Sequence, residues 1–315
     1  LISSRQRRPT ITIIGAGRLG TALGVALCSR GYTIEALVAR RLSHARRAAR
    51  LIQQTETRAF KATQLRELPA SRILLITTPD DAIQDVAEKL TAHAAKSLPV
   101  RGSRRVALHA SGALSSEVLE SLQDARFQTG SMHPLVSVSD ALTGAENFRG
   151  AFFCVEGQSA AVRVARSLVS DLEGHAFSIN TKDKALYHAA AVMASGHVVA
   201  LLDIALEMLT RCGLSERRAR ATLMPLVRST VENLSTQEPA RALTGTFARA
   251  DAATVKRHLD ALRSQNLTDA LAVYRLLGER SLRLLEVKLK GKALSSALEE
   301  IKGALAKAVK TRKRK

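Results

Sequence analysis

Lys184, His188, Val192 and Ser195 follow one another at intervals of four, four and three, which places them on one face of a helix. An ammonium in the first turn of such a helix can polarise a carbonyl oxygen, or protonate the alkoxide formed as a carbonyl is reduced. His188, one turn on, shares that work or orients a substrate. A solvated lysine at a helix start and a packed core histidine fit the same spacing. Two further segments end apolar runs with polar groups: Leu108-His109-Ala110-Ser111-Gly112 and Gly130-Ser131-Met132-His133-Pro134-Leu135. Ser111, His109 and His133 would face a cleft if those runs are parallel strands. Farther along, Arg249 is placed to bind a substrate carboxylate, and Asp251 to cap a helix starting near Ala252.

The elements that must position these groups begin with Thr10-Ile-Thr-Ile-Ile14, which runs straight into Gly15-Ala-Gly17-Arg18-Leu19-Gly20. A helical pattern follows at once. Strand, G-x-G-x-x-G and helix in this order form a dinucleotide-binding fingerprint. Gly15 makes the turn, Gly17 lets the backbone approach a pyrophosphate, and Gly20 lets the helix pack close to the sheet. The amides at the helix start, beside Arg18 and Leu19, then face the phosphates. A second strand ends in Arg40-Arg41-Leu42-Ser43. Glu35 lies too early in it to reach a ribose 2′-hydroxyl, whereas two guanidiniums suit a 2′-phosphate, so the expected cofactor is NADP(H) rather than NAD(H). Thr77-Thr78-Pro79-Asp80-Asp81 ends another apolar run and should border the cofactor, with Thr78 and Pro79 in contact; capping of the next helix by Thr78 or Asp80 is compatible with that.

Seven strands are expected: 11–14, 33–38, 72–77, 105–108, 127–132, 151–155 and 176–179. Helical stretches at 19–30, 43–54, 81–95, 115–122 and 160–172 separate most of them. This alternation predicts an α/β, Rossmann-type, doubly wound parallel sheet. After Asn180 only helical periodicity remains, at 185–211, 216–234, 252–262, 267–289 and 293–309. The expected organisation is a nucleotide-binding domain over 1–180, an all-helical domain over 181–301 and a basic tail over 302–315. No internal repeat is present.

Composition narrows the field. The chain has 315 residues, 46% hydrophobic and 24% charged, which is a globular balance long enough for two domains. It has no tryptophan and three tyrosines, too few for a base-stacking platform. Net charge is +20, and residues 302–315 hold seven Lys or Arg and no acid, so without them it falls to +13. Such a tail gives at most non-specific contact with nucleic-acid phosphates. Cys28, Cys154 and Cys212 form no C-x-x-C pair, so no metal site is expected and the thiols suit a reducing cytoplasm. Residues 1–10 lack an apolar secretory core. The apolar stretch 185–210 holds His188, His197, Asp203 and Glu207, and is expected to be a buried core helix rather than a membrane span. Residues 189–202, apolar all round, suggest burial against a second copy of the chain.

Taken together, the Gly15–Gly20 loop, Thr78-Pro-Asp-Asp81, His109-Ala-Ser-Gly112, His133-Pro134, Tyr187-His188-Ala-Ala190 and Leu243-Thr-Gly245 with Arg249, Asp251, Thr254 and His258 carry a family resemblance. From about residue 8 to 265 the chain resembles Rossmann-like proteins with a DUF2520 C-terminal domain. These are similar to the 6-phosphogluconate-dehydrogenase-like superfamily, which includes ketopantoate reductase, pyrroline-carboxylate reductase and β-hydroxyacid dehydrogenases. The resemblance implies a nicotinamide cofactor, a small-molecule substrate and a homodimer built through the helical domain. It also implies a catalytic lysine opening the central helix, matched by Lys184, although His188 stands where the β-hydroxyacid dehydrogenases and ketopantoate reductases have Asn. Gly196, Thr246 and Ala250 likewise depart from the expected Asn, Pro and Gly. The activity expected is NADP(H)-dependent reduction of a small carbonyl or imine compound, with ketopantoate the nearest substrate by analogy. A non-enzymatic NADP-binding sensor or scaffold is the alternative.

Overall fold

The computed structural model describes residues 8–54, 56–94, 105–289 and 296–308. Contacts divide the chain into two compact units between Gly196 and His197. The first holds an eight-stranded sheet: β1 (Ile11–Ile14), β2 (Ile34–Ala39), β3 (Arg58–Lys61), β4 (Ile73–Ile76), β5 (Arg105–His109), β6 (Phe127–Pro134), β7 (Phe152–Gly157) and β8 (His175–Phe177). Strand order is β3-β2-β1-β4-β5-β6-β7-β8, whose first six positions follow the Rossmann order. The helices between the strands are α1 (Arg18–Ser29), α2 (Leu42–Ile52), α3 (Ile83–Ala94), the short α4 (Ser121–Asp124) and α5 (Ala141–Glu146), and α6 (Ser159–Asp171). β1 and β4 are buried at every position. Helices cover both faces of the sheet, so central strands read as continuous apolar runs rather than alternating ones.

The sheet departs from the all-parallel expectation at one place. β7 runs antiparallel to β6, pairing Met132 with Val155 and His133 with Cys154, and β8 then runs parallel to β7. β3 and α5 had no expectation. In β3 only Phe60 is buried, as suits an edge strand. α5 is six residues long, and Asp140 caps it by accepting from the Leu142 and Thr143 amides.

The expected helix over 185–211 is two helices, α7 (Lys184–Ala194) and α8 (Gly196–Arg211). Ser195, at φ −125° and ψ −77°, separates them, so the face shared by Lys184, His188 and Val192 stops there. The boundary expected at 180 follows the end of the sheet, but α7 belongs to the first unit, anchored by Lys184. The rest of the second unit is α9 (Glu216–Thr236), α10 (Pro239–Ala242), α11 (Gly245–Ala248), α12 (Ala252–Ser264), α13 (Thr268–Leu289) and α14 (Ser296–Lys307). Its core is Val255 and Leu259 of α12, Leu282 and Leu285 of α13, and Leu298, Ile301 and Leu305 of α14.

Two expectations fail here. α8 is not a buried core helix: none of its residues is buried, and Val199 is 69% exposed. Apolar periodicity marks a face that favours burial, but the unit's core forms on the other helices. By length and composition alone, Thr181–Arg211 would also suffice to cross a membrane, yet the chain breaks at Ser195 and the Lys184 ammonium near its start is tied to the first unit. Nor does the basic tail begin at 302, because Lys302–Lys307 belong to α14 and Leu305 is fully buried. Residues 309–315, with most of the tail's charge, lie outside the described residues.

Candidate active site

The glycine turn is built as its spacing demands. Gly15 has φ +114°, and a Cβ there would lie 2.5 Å from the Thr77 carbonyl carbon. A Cβ on Gly20 would lie 2.2 Å from the Gly15 oxygen, so α1 sits against the turn with no room for a side chain. Gly17 differs: a Cβ there would meet nothing within 4 Å. It is also the N-cap of α1 and supplies no side-chain cap. The first-turn amides of α1 therefore face open space, the arrangement that receives a pyrophosphate. Thr77 Oγ1 donates to the Gly15 carbonyl at 2.7 Å and ties the loop after β4 to the turn. Beside it, Thr78 Oγ1 is buried without a hydrogen-bond partner among the described residues. An orphaned hydroxyl, a space over Gly17 and an uncapped helix together fit a dinucleotide.

Arg40 and Arg41 are exposed at the carboxyl end of β2, where Arg41 is the N-cap of α2. No acid lies in the first turn of α2. Glu35, at the other end of β2, accepts from the Ser71 hydroxyl. The strand tip is therefore cationic, as a 2′-phosphate requires and a ribose diol does not. Replacing both arginines by alanine is expected to weaken NADPH binding by about tenfold or more and leave NADH binding nearly unchanged, which parallel titrations would measure.

The carboxyl ends of β4, β5 and β6 meet α7 around a cavity of about 350 Å³. Arg18, Leu19 and Thr78 line its glycine-loop side. Asp80, Ser111, Gly112, His133 and His188 line the rest, with Val136 and Val138 as apolar wall. Pro79 is not a lining residue; it precedes a one-turn 3-10 helix, Asp80–Ala82.

Ser111 faces this cavity, but its hydroxyl is engaged. Oγ donates to Asp80 Oδ2 at 2.8 Å and accepts from the Ala113 and Leu114 amides. His109 lies behind it, fully buried. Its Nδ1 accepts from the Ser111 amide at 3.1 Å, so Nε2 carries the proton and donates to the Ser115 carbonyl. His109 therefore shapes the loop. His133 Nδ1 and the Tyr187 hydroxyl are hydrogen-bonded at 2.7 Å. The His133 ring packs edge-on against that of His188, with centroids 5.5 Å apart. Both rings close on Gly112, where a Cβ would lie 2.5 Å from His188 Cδ2 and 2.8 Å from His133 Cε1.

Lys184 does not open into the cavity as its helix position suggested. It is 1% exposed. Nζ donates to Ser131 Oγ at 2.5 Å, to the Ser111 carbonyl at 3.2 Å and to Glu156 Oε1 at 3.3 Å, which uses all three ammonium protons. Glu156 is 7% exposed and also accepts from the Ser116 amide and hydroxyl. Burial pulls the Lys184 ammonium below its usual range and Glu156 opposes that shift. Lys184 thus holds the back of the Ser111–Gly112 loop. Glu156 was not anticipated, because it reaches the site through the antiparallel β7. Its signal is a single acid within the apolar run Phe152-Phe-Cys-Val-Glu156. Arg249 lies in the second unit, exposed at the C-cap of α11, and Asp251 caps α12 through the Thr254 amide as expected.

Burial and the Lys184 charge push His109 down to about 3, and burial, His188 and Lys184 push His133 down to about 4. Both are neutral in the folded protein at neutral pH, while the unfolded chain protonates them near 6.5. Below that value the unfolded state binds more protons, so stability falls as pH drops from about 6.5 toward 4. Between pH 7 and pH 5 a loss on the order of 1–2 kcal/mol per histidine is expected in urea unfolding. His133→Gln should remove about half of it.

Comparison with known proteins agrees with this geometry. A Rossmann-like domain model matches residues 2–134, and the model for a domain of unknown function, DUF2520, matches residues 151–281. The chain is thus similar to a Rossmann-like domain over its first part and to DUF2520 over its second. No curated protein sequence matches it. Among solved structures, this chain is similar to BF3122 of Bacteroides fragilis, a candidate NADP oxidoreductase. They are 21% identical with a TM-score of 0.70, over 88% of this chain and 99% of the other. It is similar to TM1727 of Thermotoga maritima at 22% identity and TM-score 0.66, over 88% and 99%. An imine reductase of Myxococcus stipitatus, solved with NADP+, aligns at 16% identity and TM-score 0.56, over 96% and 100%. At these identities the chain shares their fold.

Proposed function

We propose that this protein is an NADP(H)-dependent oxidoreductase that reduces a small carbonyl or imine compound. The observation that carries this reading is the open cradle over Gly17, continuous along Arg18, Leu19 and Thr78 with the histidine-lined cavity. The α1 amides and Arg18 hold the pyrophosphate, and Arg40 and Arg41 hold the 2′-phosphate. When bound, the reduced nicotinamide supplies a hydride to the substrate. His188 is the side chain placed to give the matching proton, because its imidazole lines the cavity. His133, fixed by Tyr187, sets the tilt of His188 through their edge-on contact. Lys184 and Glu156 position the Ser111–Gly112 wall rather than donate to substrate.

NADPH oxidation measured against ketopantoate and 1-pyrroline tests the reading. Turnover of either, with His188→Ala lowering kcat by about a hundredfold and NADPH affinity unchanged, is the expected result. NADPH binding with no turnover of carbonyl or imine compounds would favour the sensor reading.

A homodimer is part of the proposal. In the second unit Val198, Val199 and Leu201 of α8, and Leu226, Val231 and Leu234 of α9, are exposed apolar side chains, more than a solitary surface normally leaves to water. Light scattering should give twice the chain mass at micromolar concentration, and Val199→Glu should shift it toward monomer. A cytoplasmic setting is also proposed, because Cys28, Cys154 and Cys212 are all free thiols.

A further inference from the structure

The cavity carries an unbalanced charge. Three fixed charges stand at its inner wall and rim: Lys184 and Glu156, both buried, and Asp80, an exposed carboxylate. The ammonium sits behind the wall, paired with Glu156 at 3.3 Å, both nearly inaccessible. Asp80 lines the cavity itself. Lys184 attracts it at a distance, but among the described residues Asp80 forms no ion pair. Oδ2 accepts from Ser111, and Oδ1 accepts from no described residue. His133 beside it is neutral. The cation lining the cavity, Arg18, belongs to the glycine loop, where cofactor phosphates would neutralise it.

We infer that the substrate end of this cavity, formed by Asp80 with His133 and His188, takes a small cation, a protonated cyclic amine or its iminium counterpart, in preference to a carboxylate. This rests on the reductase reading and narrows it. Asp80 Oδ1 accepts from the N–H of the cation, and the apolar wall of Pro134, Val136 and Val138 packs its methylenes. A neutral His133 neither repels the cation nor attracts an anion. Reduction of an iminium adds hydride at carbon and leaves a neutral amine, whose nitrogen then takes the proton that His188 gives, so the cationic product keeps the Asp80 contact. A keto acid would instead set its carboxylate against the Asp80 carboxylate, because among the described residues the cation lining the cavity is Arg18, which the cofactor phosphates would engage.

The test is calorimetric titration of the NADP+-loaded protein with pyrrolidinium and, separately, with pivalate, an anion of similar size. Pyrrolidinium is expected to bind at least about tenfold tighter than pivalate. Asp80→Asn, whose amide oxygen still accepts from Ser111, should remove that preference while NADP+ affinity stays the same. Pivalate binding as tightly as pyrrolidinium, or neither binding, would overturn the inference. So would Asp80→Asn weakening NADP+ while sparing the preference, since Asp80 would then be a ribose ligand. If NADP+ itself fails to bind, the reductase reading falls separately, and the same two titrations on the cofactor-free protein still decide what Asp80 selects.

Discussion

Gly17→Ala is expected to fold as well as the parent protein and to lose NADPH binding by about a hundredfold, roughly 2.7 kcal/mol. The two halves of this result have separate causes. Gly17 sits at φ −81° and ψ −167°, a conformation alanine adopts freely, and its Cβ would touch nothing. Replacing glycine at such a site stabilises by about 0.4–1 kcal/mol through the unfolded chain. The new methyl group would occupy the space the pyrophosphate needs, so thermal unfolding and NADPH titration should separate. Gly20→Ala is the contrast. Its Cβ would collide with the Gly15 oxygen at 2.2 Å, so folding and binding should fail together. If Gly17→Ala binds NADPH normally, the open space is not a phosphate site.

Lys184→Met is expected to lower stability by about 3–5 kcal/mol, a fall of roughly 10 °C in Tm for a unit of this size. Methionine matches the lysine stem but leaves the Glu156 carboxylate buried without its counter-charge, since both side chains of the pair are buried. Lys184→Met combined with Glu156→Gln should recover more than half of the loss, because the second change removes the stranded charge. A double-mutant cycle followed by urea unfolding measures this coupling. A proton-donating lysine in an open cleft would give the opposite pattern: little change in stability, a collapse in kcat, and no rescue by Glu156→Gln.

Much of the fold is legible in the residues. β1, β4 and β5 are dominated by apolar residues because both faces of the sheet are covered, and α1 and α6 show plain helical spacing. The glycine cradle is legible because each glycine answers a local steric demand. The wall of the cavity is not. Glu156 meets Lys184 only because β7 turns antiparallel beside β6, a pairing set by tertiary packing. Lys184 itself reads as a catalytic ammonium from its helix position, whereas its three buried acceptors place the ammonium behind the cavity wall. α8 misled for a related reason: an apolar helix states that it favours burial without stating by which chain.

The most direct measurement is a side-by-side titration of the purified protein with NADPH and NADH, followed by nicotinamide fluorescence. The cradle over Gly17 with Arg40 and Arg41 at the strand tip predicts saturable NADPH binding, with NADH at least about tenfold weaker. Absence of binding by either nucleotide would contradict the dinucleotide site and the oxidoreductase reading with it.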